Sequence, residues 1–208
     1  MKLYYAETLC PRKACAVVRY LGSPVEYVHV DLGKGEHHEP AYLAINPNGK
    51  VPALTDGDRA LWEANAIMCY LADKAGSDLW PRDGRQIEIV RWFSWDADHF
   101  SRHAGTLYFE HLIKARFGLG APDPAATEEA VGYFRKYARV LDDHLKGRRY
   151  LVGDGLTVAD FAAAVTLPYA EQANIPVDEF PEVRRWHDRL SELEAWREPF
   201  PVMAPAAA

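Results

Sequence analysis

Several short stretches of this chain combine side chains and backbone in ways that can do chemistry. Cys10 stands immediately before Pro11, at the start of a helical pattern. The positive end of a helix dipole favours the thiolate, the nucleophilic form of a thiol whose ordinary pKa is about 8.5. A small core cysteine is the plainer reading of the same residue. In the run Asn46-Pro47-Asn48-Gly49-Lys50-Val51-Pro52-Ala53-Leu54, Asn-Gly is a turn and Val-Pro opens a strand, where proline cannot donate a ladder hydrogen bond. A cis Val51–Pro52 bond would turn the Val51 backbone outward and leave its N–H and C=O for a peptide-like ligand. An ordinary turn before an edge strand is the alternative. Glu63-Ala64-Asn65 begins a helix. Its first N–H groups can hold a carboxylate, and Glu63 can accept from a ligand ammonium; equally, Glu63 and Asn65 can simply cap the helix. Farther on, Trp92, Trp95, His99 and His103 share one broad helical face, a pattern that serves core or dimer contacts as readily as a substrate wall. His99 and His103 have the i,i+4 spacing of metal ligands, but the sequence offers no third ligand.

These residues need elements to position them. Lys2 to Tyr5 reads as a strand and Ala6 to Cys10 as a loop; a helix then runs from Pro11, with Ala14, Val17, Val18 and Leu21 at helical spacing, to Gly22. Glu26 to Val30 alternates as a strand, giving a β-α-β opening whose parallel pair implies a right-handed crossover. A weak helical piece around Ala41 to Ile45 precedes a strand from Val51 to Thr55, its hairpin partner from Arg59 to Trp62 and a helix from Ala64 to Ala75. The turn-rich segment 76–84 reads as a linker. Beyond it the pattern is helical: Arg85 to Phe117 as one long helix or two short ones, a break from Gly118 to Pro124, then Thr127 to Leu145, Thr157 to Tyr169 and Pro181 to Leu190. Thr157 and Asp160 have the spacing of a capping box, a structural device worth on the order of 1 kcal/mol.

Composition narrows the function classes. The 208 residues are about half hydrophobic and a quarter charged, with a formal net charge of −6. That is a globular composition with no electrostatic reason to bind nucleic acid or an anionic membrane. The N-terminus lacks the apolar stretch of a signal peptide, and no apolar run is long enough to span a bilayer. Cys10, Cys15 and Cys69 are odd in number and follow no metal or C-x-x-C spacing, so a reducing cytoplasm is the expected compartment. The tail from Met203 to Ala208 has no periodicity and is expected to fray.

The run from Asp31 through Lys74 contains Gly35-Glu36-His37-His38, NPNGKVPAL, Asp56-Gly57-Asp58 and LWEANAIMCYLADK. It resembles the glutathione transferase family, most of all its phi and beta branches. The later run Tyr150-Leu151-Val152-Gly153-Asp154-Gly155-Leu156-Thr157-Val158-Ala159-Asp160-Phe161 resembles that family's C-terminal domain. The resemblance is weak between Arg85 and Leu145.

The resemblance implies an α/β thioredoxin-like domain (β-α-β-α-β-β-α) at residues 1–75, followed by an all-α helical bundle at 85–208. It implies a glutathione transferase acting on an electrophilic small molecule, with glutathione as co-substrate, no metal, and a cytoplasmic homodimer active in detoxification. Val51 would pair with the cysteinyl part of glutathione, with Pro52 cis; Glu63 and Ala64 would hold the γ-glutamyl end, helped by Asn65; His38, with His37 and Lys50, would face the glycine carboxylate. Ala64 departs from the family's usual serine and removes one bond to the γ-glutamyl carboxylate.

Comparison with phi-like enzymes puts Thr8 at the catalytic serine; comparison with beta-like enzymes puts Cys10 at the catalytic cysteine. Tyr5 is a third candidate, though strand tyrosines commonly serve the core. The helix N-terminus gives Cys10 a physical reason for activation and tilts the sequence reading toward it. Two alternatives to the transferase stay open: a glutathione-dependent thiol–disulfide oxidoreductase or isomerase working through Cys10, and a non-catalytic binding module. The second substrate is expected to meet Trp95, His99 and His103.

Overall fold

The structure, a computed structural model, describes residues 1–202 and divides the chain into two compact units, the first holding residues up to Ser77 together with the segment from Leu193 onward and the second Asp78–Glu192. Met203 to Ala208, expected to fray, lie outside the described residues.

In the first unit the elements are β1 (Lys2–Tyr5), α1 (Leu9–Leu21), β2 (Glu26–His29), α2 (Pro40–Leu43), β3 (Ala53–Asp56), β4 (Arg59–Trp62) and α3 (Ala64–Lys74), with a 3-10 turn at Glu36–His38. The sheet order is β2-β1-β3-β4. β1 pairs parallel to β2 and antiparallel to β3, and β3 pairs antiparallel to β4. β4 therefore runs in the same direction as β1. Strand alternation separates two apolar layers. Leu3, Tyr5 and Leu54 are buried along with Ala14, Val17 and Val18 of α1 and Ile67, Met68 and Leu71 of α3. On the α2 side Tyr42 forms a smaller cluster with Val30 and Ala53, against which Tyr4, Ile45 and Val51 pack.

Two boundaries differ from the sequence reading in ways that matter for the site. The first helix begins at Leu9, so Cys10 lies in its first turn and not in the preceding loop. Pro11 is tolerated at the third helical position because that N–H precedes the hydrogen-bond ladder, which starts with Arg12 N–H donating to Thr8 C=O at 3.1 Å. The third strand begins at Ala53, after Pro52. The C-terminal segment, expected within residues 85–208, instead packs on α1 through α10 (Glu194–Arg197). Trp196 is buried, its carbonyl accepts from the Arg12 guanidinium, and that guanidinium lies 5.0 Å from the Trp196 ring centroid.

In the second unit the chain from Arg85 to Phe117 is nearly continuous helix: α4 (Arg85–Trp95), a π turn at Asp96–Phe100, α5 (Ser101–Tyr108), a π turn at Phe109–Ile113 and α6 (Lys114–Phe117). Gly118, with φ +65°, ends it. α7 (Pro124–Leu145) starts under the Asp123 carboxylate, which accepts from Ala125 N–H at 2.9 Å. The helix expected from Thr157 to Tyr169 is only α8 (Val158–Ala163), followed by a 3-10 turn at Leu167–Tyr169. Pro168 has no N–H to continue it. α9 (Pro181–Ser191) completes the unit. The capping box forms as the spacing predicts, with both reciprocal bonds present.

Candidate active site

The sheet topology gathers the sequence candidates of the first unit at one edge. α1 leaves the C-terminal end of β1, and α3 leaves the C-terminal end of the co-directional β4. β3 runs the opposite way, so its start, just after Pro52, lies at that same end. The register makes this concrete: Tyr4 pairs with Ala53, and Ala53 with Trp62. Thr8, Pro52 and Glu63 each lie within a few residues of that row. The 3-10 turn carrying His37 and His38 follows β2, which is parallel to β1, and so reaches the same edge.

Each segment arrives with polar groups uncommitted. Thr8 is the N-cap of α1, in extended conformation at φ −137°, and its hydroxyl makes no capping bond. An N-cap threonine normally accepts from the N–H two or three positions on; here the third is Pro11, which has none. Cys10, one turn into the dipole's reach, is exposed. Cys15 and Cys69 are not comparable thiols, since burial pushes both up to about 12. Tyr5 is a core side chain: it is 2% exposed, with its ring edge-on to Tyr27 and His29 and stacked on Phe200. Burial first, then the nearby Glu7 charge, raises its phenol above the ordinary range, which makes it a poorer proton donor to a sulfur anion.

The Val51–Pro52 bond is cis, as the sequence reading anticipated. Val51 lies outside β3, and no loop or turn hydrogen bond among the described residues engages its backbone. The turn before it is held from within. Tyr42 hydroxyl and Asn46 Nδ2 both donate to Lys50 C=O at 2.6 Å, while buried Asn46 accepts from Asn48 N–H at 3.1 Å. Sequence reasoning passed over Tyr42 and gave Asn46, the first residue of the run it singled out, no role of its own; an asparagine just ahead of an Asn-Gly turn was the available signal. Gly49 has φ +58°, and a Cβ there would stand 3.0 Å from His38 Nδ1 and 3.1 Å from His37 C=O. The turn and the histidine pair therefore meet at a contact that only glycine fits. The two imidazoles lie 3.9 Å apart. Burial, then the His38 neighbour, lowers the His37 pKa, so His37 acts as a neutral hydrogen-bonding group near neutral pH. His38 and Lys50 are exposed.

Glu63 does not cap α3. It is exposed, has φ +71° and ψ 115°, and makes no side-chain capping bond. A non-glycine residue in that region carries strain of roughly 1–3 kcal/mol, which clusters at functional positions. The first helical bond is Ile67 N–H to Glu63 C=O at 3.0 Å, so the N–H groups of Ala64, Asn65 and Ala66 precede the ladder. Ala64 is buried. Asn65 Oδ1 accepts from Lys13 Nζ at 3.3 Å.

In the second unit Trp95, His99 and His103 pack against α7. His99 stacks on Tyr137 at 4.5 Å and His103 on Tyr133 at 4.7 Å, while Trp95 lies edge-on to Tyr137 at 6.4 Å. Burial, then Arg102, lowers the His103 pKa. Among the described residues no group of three or more His, Cys, Asp or Glu is placed to hold a metal, and no helix is long and apolar enough to cross a membrane.

Comparison with known proteins gives a consistent result. Residues 1–73 match the family model "Glutathione S-transferase, N-terminal domain" and residues 100–194 match "Glutathione S-transferase, C-terminal domain". Glutathione S-transferase 3 of Zea mays is 35% identical over 202 residues, covering 93% of this chain and 90% of that protein. Glutathione S-transferase F9 of Arabidopsis thaliana is 32% identical, with 95% of each covered. Among solved structures, glutathione transferase F7 from Populus trichocarpa superposes with a TM-score of 0.88 at 27% identity, covering 95% of this chain and 96% of that one. A glutathione S-transferase-I bound with lactoylglutathione superposes at 0.83 and 27% identity, covering 95% of this chain and 97% of that one.

Proposed function

Because the chain belongs to the glutathione S-transferase family and is a glutathione transferase, we propose that it binds glutathione along this sheet edge and activates the thiol through Thr8. The Val51 N–H and C=O pair with the cysteinyl backbone as an added strand would. The γ-glutamyl ammonium meets Glu63, and its carboxylate meets the open N–H groups of Ala64 and Asn65. The glycine carboxylate meets His38, with Lys50 and His37 beside it.

The Thr8 hydroxyl donates to the sulfur, favouring thiolate over thiol. The thiolate attacks the electrophilic carbon. A carbon–sulfur bond forms, the leaving group departs with its bonding pair, and the thiol proton passes to solvent. Trp95, His99 and His103 offer aromatic surface to the electrophile. Detoxification of such compounds in the cytoplasm, by a symmetric homodimer, fits the family resemblance.

The observation that carries this reading is the convergence of four sequence-distant segments on one sheet edge, each with unspent polar groups. Retention on immobilised glutathione, a calorimetric isotherm and conjugation of a model aryl halide test it together; a chain that neither binds glutathione nor conjugates rules it out.

Glu63 supplies the sharpest check on the γ-glutamyl end. A charge-assisted bond is worth roughly 1.5–3 kcal/mol, so Glu63→Gln should weaken glutathione binding about ten- to a hundredfold. Since the side chain caps nothing, the melting temperature should stay at the wild-type value. An unchanged dissociation constant removes Glu63 from the site.

A further inference from the structure

The α2 side of the sheet carries a cleft of about 240 Å³ that the proposed glutathione site does not use. It opens between α2 and the strands β1 and β2. Tyr4, Val28, Val30, Tyr42 and Ile45 make its apolar wall, and the Tyr4 and Tyr42 rings meet edge-to-face at 5.9 Å. Its charged groups are of one sign. Glu36 and Glu39 line it, and no lysine or arginine does among the described residues. The Glu39 carboxylate is exposed, caps nothing and makes no hydrogen bond or ion pair among those residues. Glu36 accepts from Asp31 N–H at 2.7 Å and keeps further lone pairs. His29 also borders the cleft, but its imidazole lies on the other face of the sheet, against Tyr5 at 5.5 Å and Glu7 at 3.2 Å. What His29 offers is backbone. β2 is the edge strand, and Glu26 and Val30 N–H donate to Met1 and Tyr5 C=O, so alternation turns the His29 carbonyl to the open edge. An anion entering here would face two carboxylates with nothing to compensate it. A cation on an apolar body meets both the wall and the acceptors.

We propose that this cleft is a second ligand site, separate from that of glutathione, for small amphiphilic ammonium compounds. An aryl or branched alkyl body lies against Tyr4, Val28 and Ile45, and the ammonium meets the Glu36 and Glu39 carboxylates and the His29 carbonyl. The volume limits the body to one or two rings, below the size of most drug-like ligands.

The probe is 2-phenylethylammonium, with 2-phenylethanol as its neutral counterpart and 3-phenylpropionate as its anionic one. Each is titrated into isotope-labelled protein, with and without excess glutathione, and followed by amide chemical shifts. Shifts at Val28, Val30, Ala41 and Ile45 should saturate with the ammonium, at a dissociation constant about tenfold below that of the alcohol, with the carboxylate weaker still. Excess glutathione should leave these constants unchanged. Glu39→Gln should weaken the ammonium about two- to fivefold, the range an exposed carboxylate allows, and leave the alcohol as it was. Ala41→Trp, whose ring fills the cleft from an exposed position, should weaken ammonium and alcohol alike by about tenfold or more. Should that variant lose its cooperative melt, Ala41→Leu reads the same loss in smaller measure. Equal affinity for the three probes overturns the proposal, as does the wild-type ratio of ammonium to alcohol in Glu39→Gln. So do competition with glutathione, saturable shifts confined to other residues, or none at all.

Discussion

Asp160→Ala should come close to abolishing folding. The Asp160 carboxylate is fully buried and accepts four hydrogen bonds: from Leu151 N–H at 2.9 Å, Thr157 N–H at 2.9 Å, Thr157 Oγ1 at 3.1 Å and Trp186 Nε1 at 2.9 Å. Alanine would strand three buried N–H donors, two on the backbone and one on a fully buried tryptophan. Each such loss costs about 1–3 kcal/mol, and dismantling the whole network is worth on the order of 4–5 kcal/mol. That is a large share of the 5–15 kcal/mol typical of a folded protein. At roughly 2–4 °C per kcal/mol for a chain of this size, the melting temperature should fall by about 10 °C or more. Thr157→Ala removes only a hydroxyl and should lower it by a few degrees, with the kinetic constants for glutathione and aryl halide unchanged once folded. Turnover lost in Thr157→Ala at wild-type stability would show a catalytic group where we read a cap.

The same carboxyl sets a pH dependence with a definite sign. Burial pushes the Asp160 pKa up to about 6, and its four donors pull against that shift. A group that holds its proton more tightly when folded adds stability below its unfolded pKa, and loses that contribution as pH rises through the folded one. Asp160 should therefore make the protein less stable as pH climbs from about 4 to about 6. In Asp160→Asn that component disappears. The difference between the two melting curves across the window should flatten above pH 7, and a difference of opposite slope would refute the assignment.

The capping box was legible in the sequence because it depends on two side chains three residues apart, and local geometry fixes the rest. The hairpin strand Arg59–Trp62 was legible for a similar reason: the Asp56-Gly57-Asp58 turn joins it to the preceding strand and needs no tertiary information. What escaped depended on partners distant in sequence. Arg12 and Lys13 look like the polar face of an amphipathic helix, and are buried because Trp196 covers one and the start of α3 receives the other. The two residues missed at the front of α1, Leu9 and Cys10, were lost by extending the preceding loop to Cys10, although a proline in the first turn leaves room for helical residues ahead of it. Glu63 was open to two readings from sequence. Its positive φ and the lack of a side-chain capping bond speak against the cap, and no sequence pattern reports a dihedral angle. The π turn at Asp96–Phe100 is equally silent, since Trp95, His99 and His103 keep helical spacing whether or not the ladder slips between them.

Thr8→Ala should raise the pKa of bound glutathione and depress aryl halide conjugation by about ten- to a hundredfold or more, the value of one charge-assisted hydrogen bond to a sulfur anion. The sequence tilted toward Cys10 because a helix N-terminus activates a thiol. The structure gives the same helix end to Thr8, which is its N-cap, and leaves the hydroxyl free because Pro11 has no N–H to occupy it. The dipole argument no longer separates the two residues. The chemistry does. A hydroxyl beside the glutathione sulfur can only stabilise its anion, which is what conjugation requires, whereas a thiolate there can attack a glutathione-containing disulfide, forming a Cys10–glutathione mixed disulfide as the other sulfur leaves as a thiolate, and so divert the enzyme into exchange. Cys10→Ala should accordingly leave conjugation within about twofold of wild type, and Thr8→Ser, which keeps the hydroxyl, should retain most of it. The thiolate absorbance of bound glutathione, followed against pH in wild type, Thr8→Ala and Cys10→Ala, reads the activation itself apart from the later steps. Should Cys10→Ala shift that titration while Thr8→Ala leaves it in place, or should a Cys10–glutathione disulfide accumulate during turnover, the thiol and not the hydroxyl is the sulfur's neighbour.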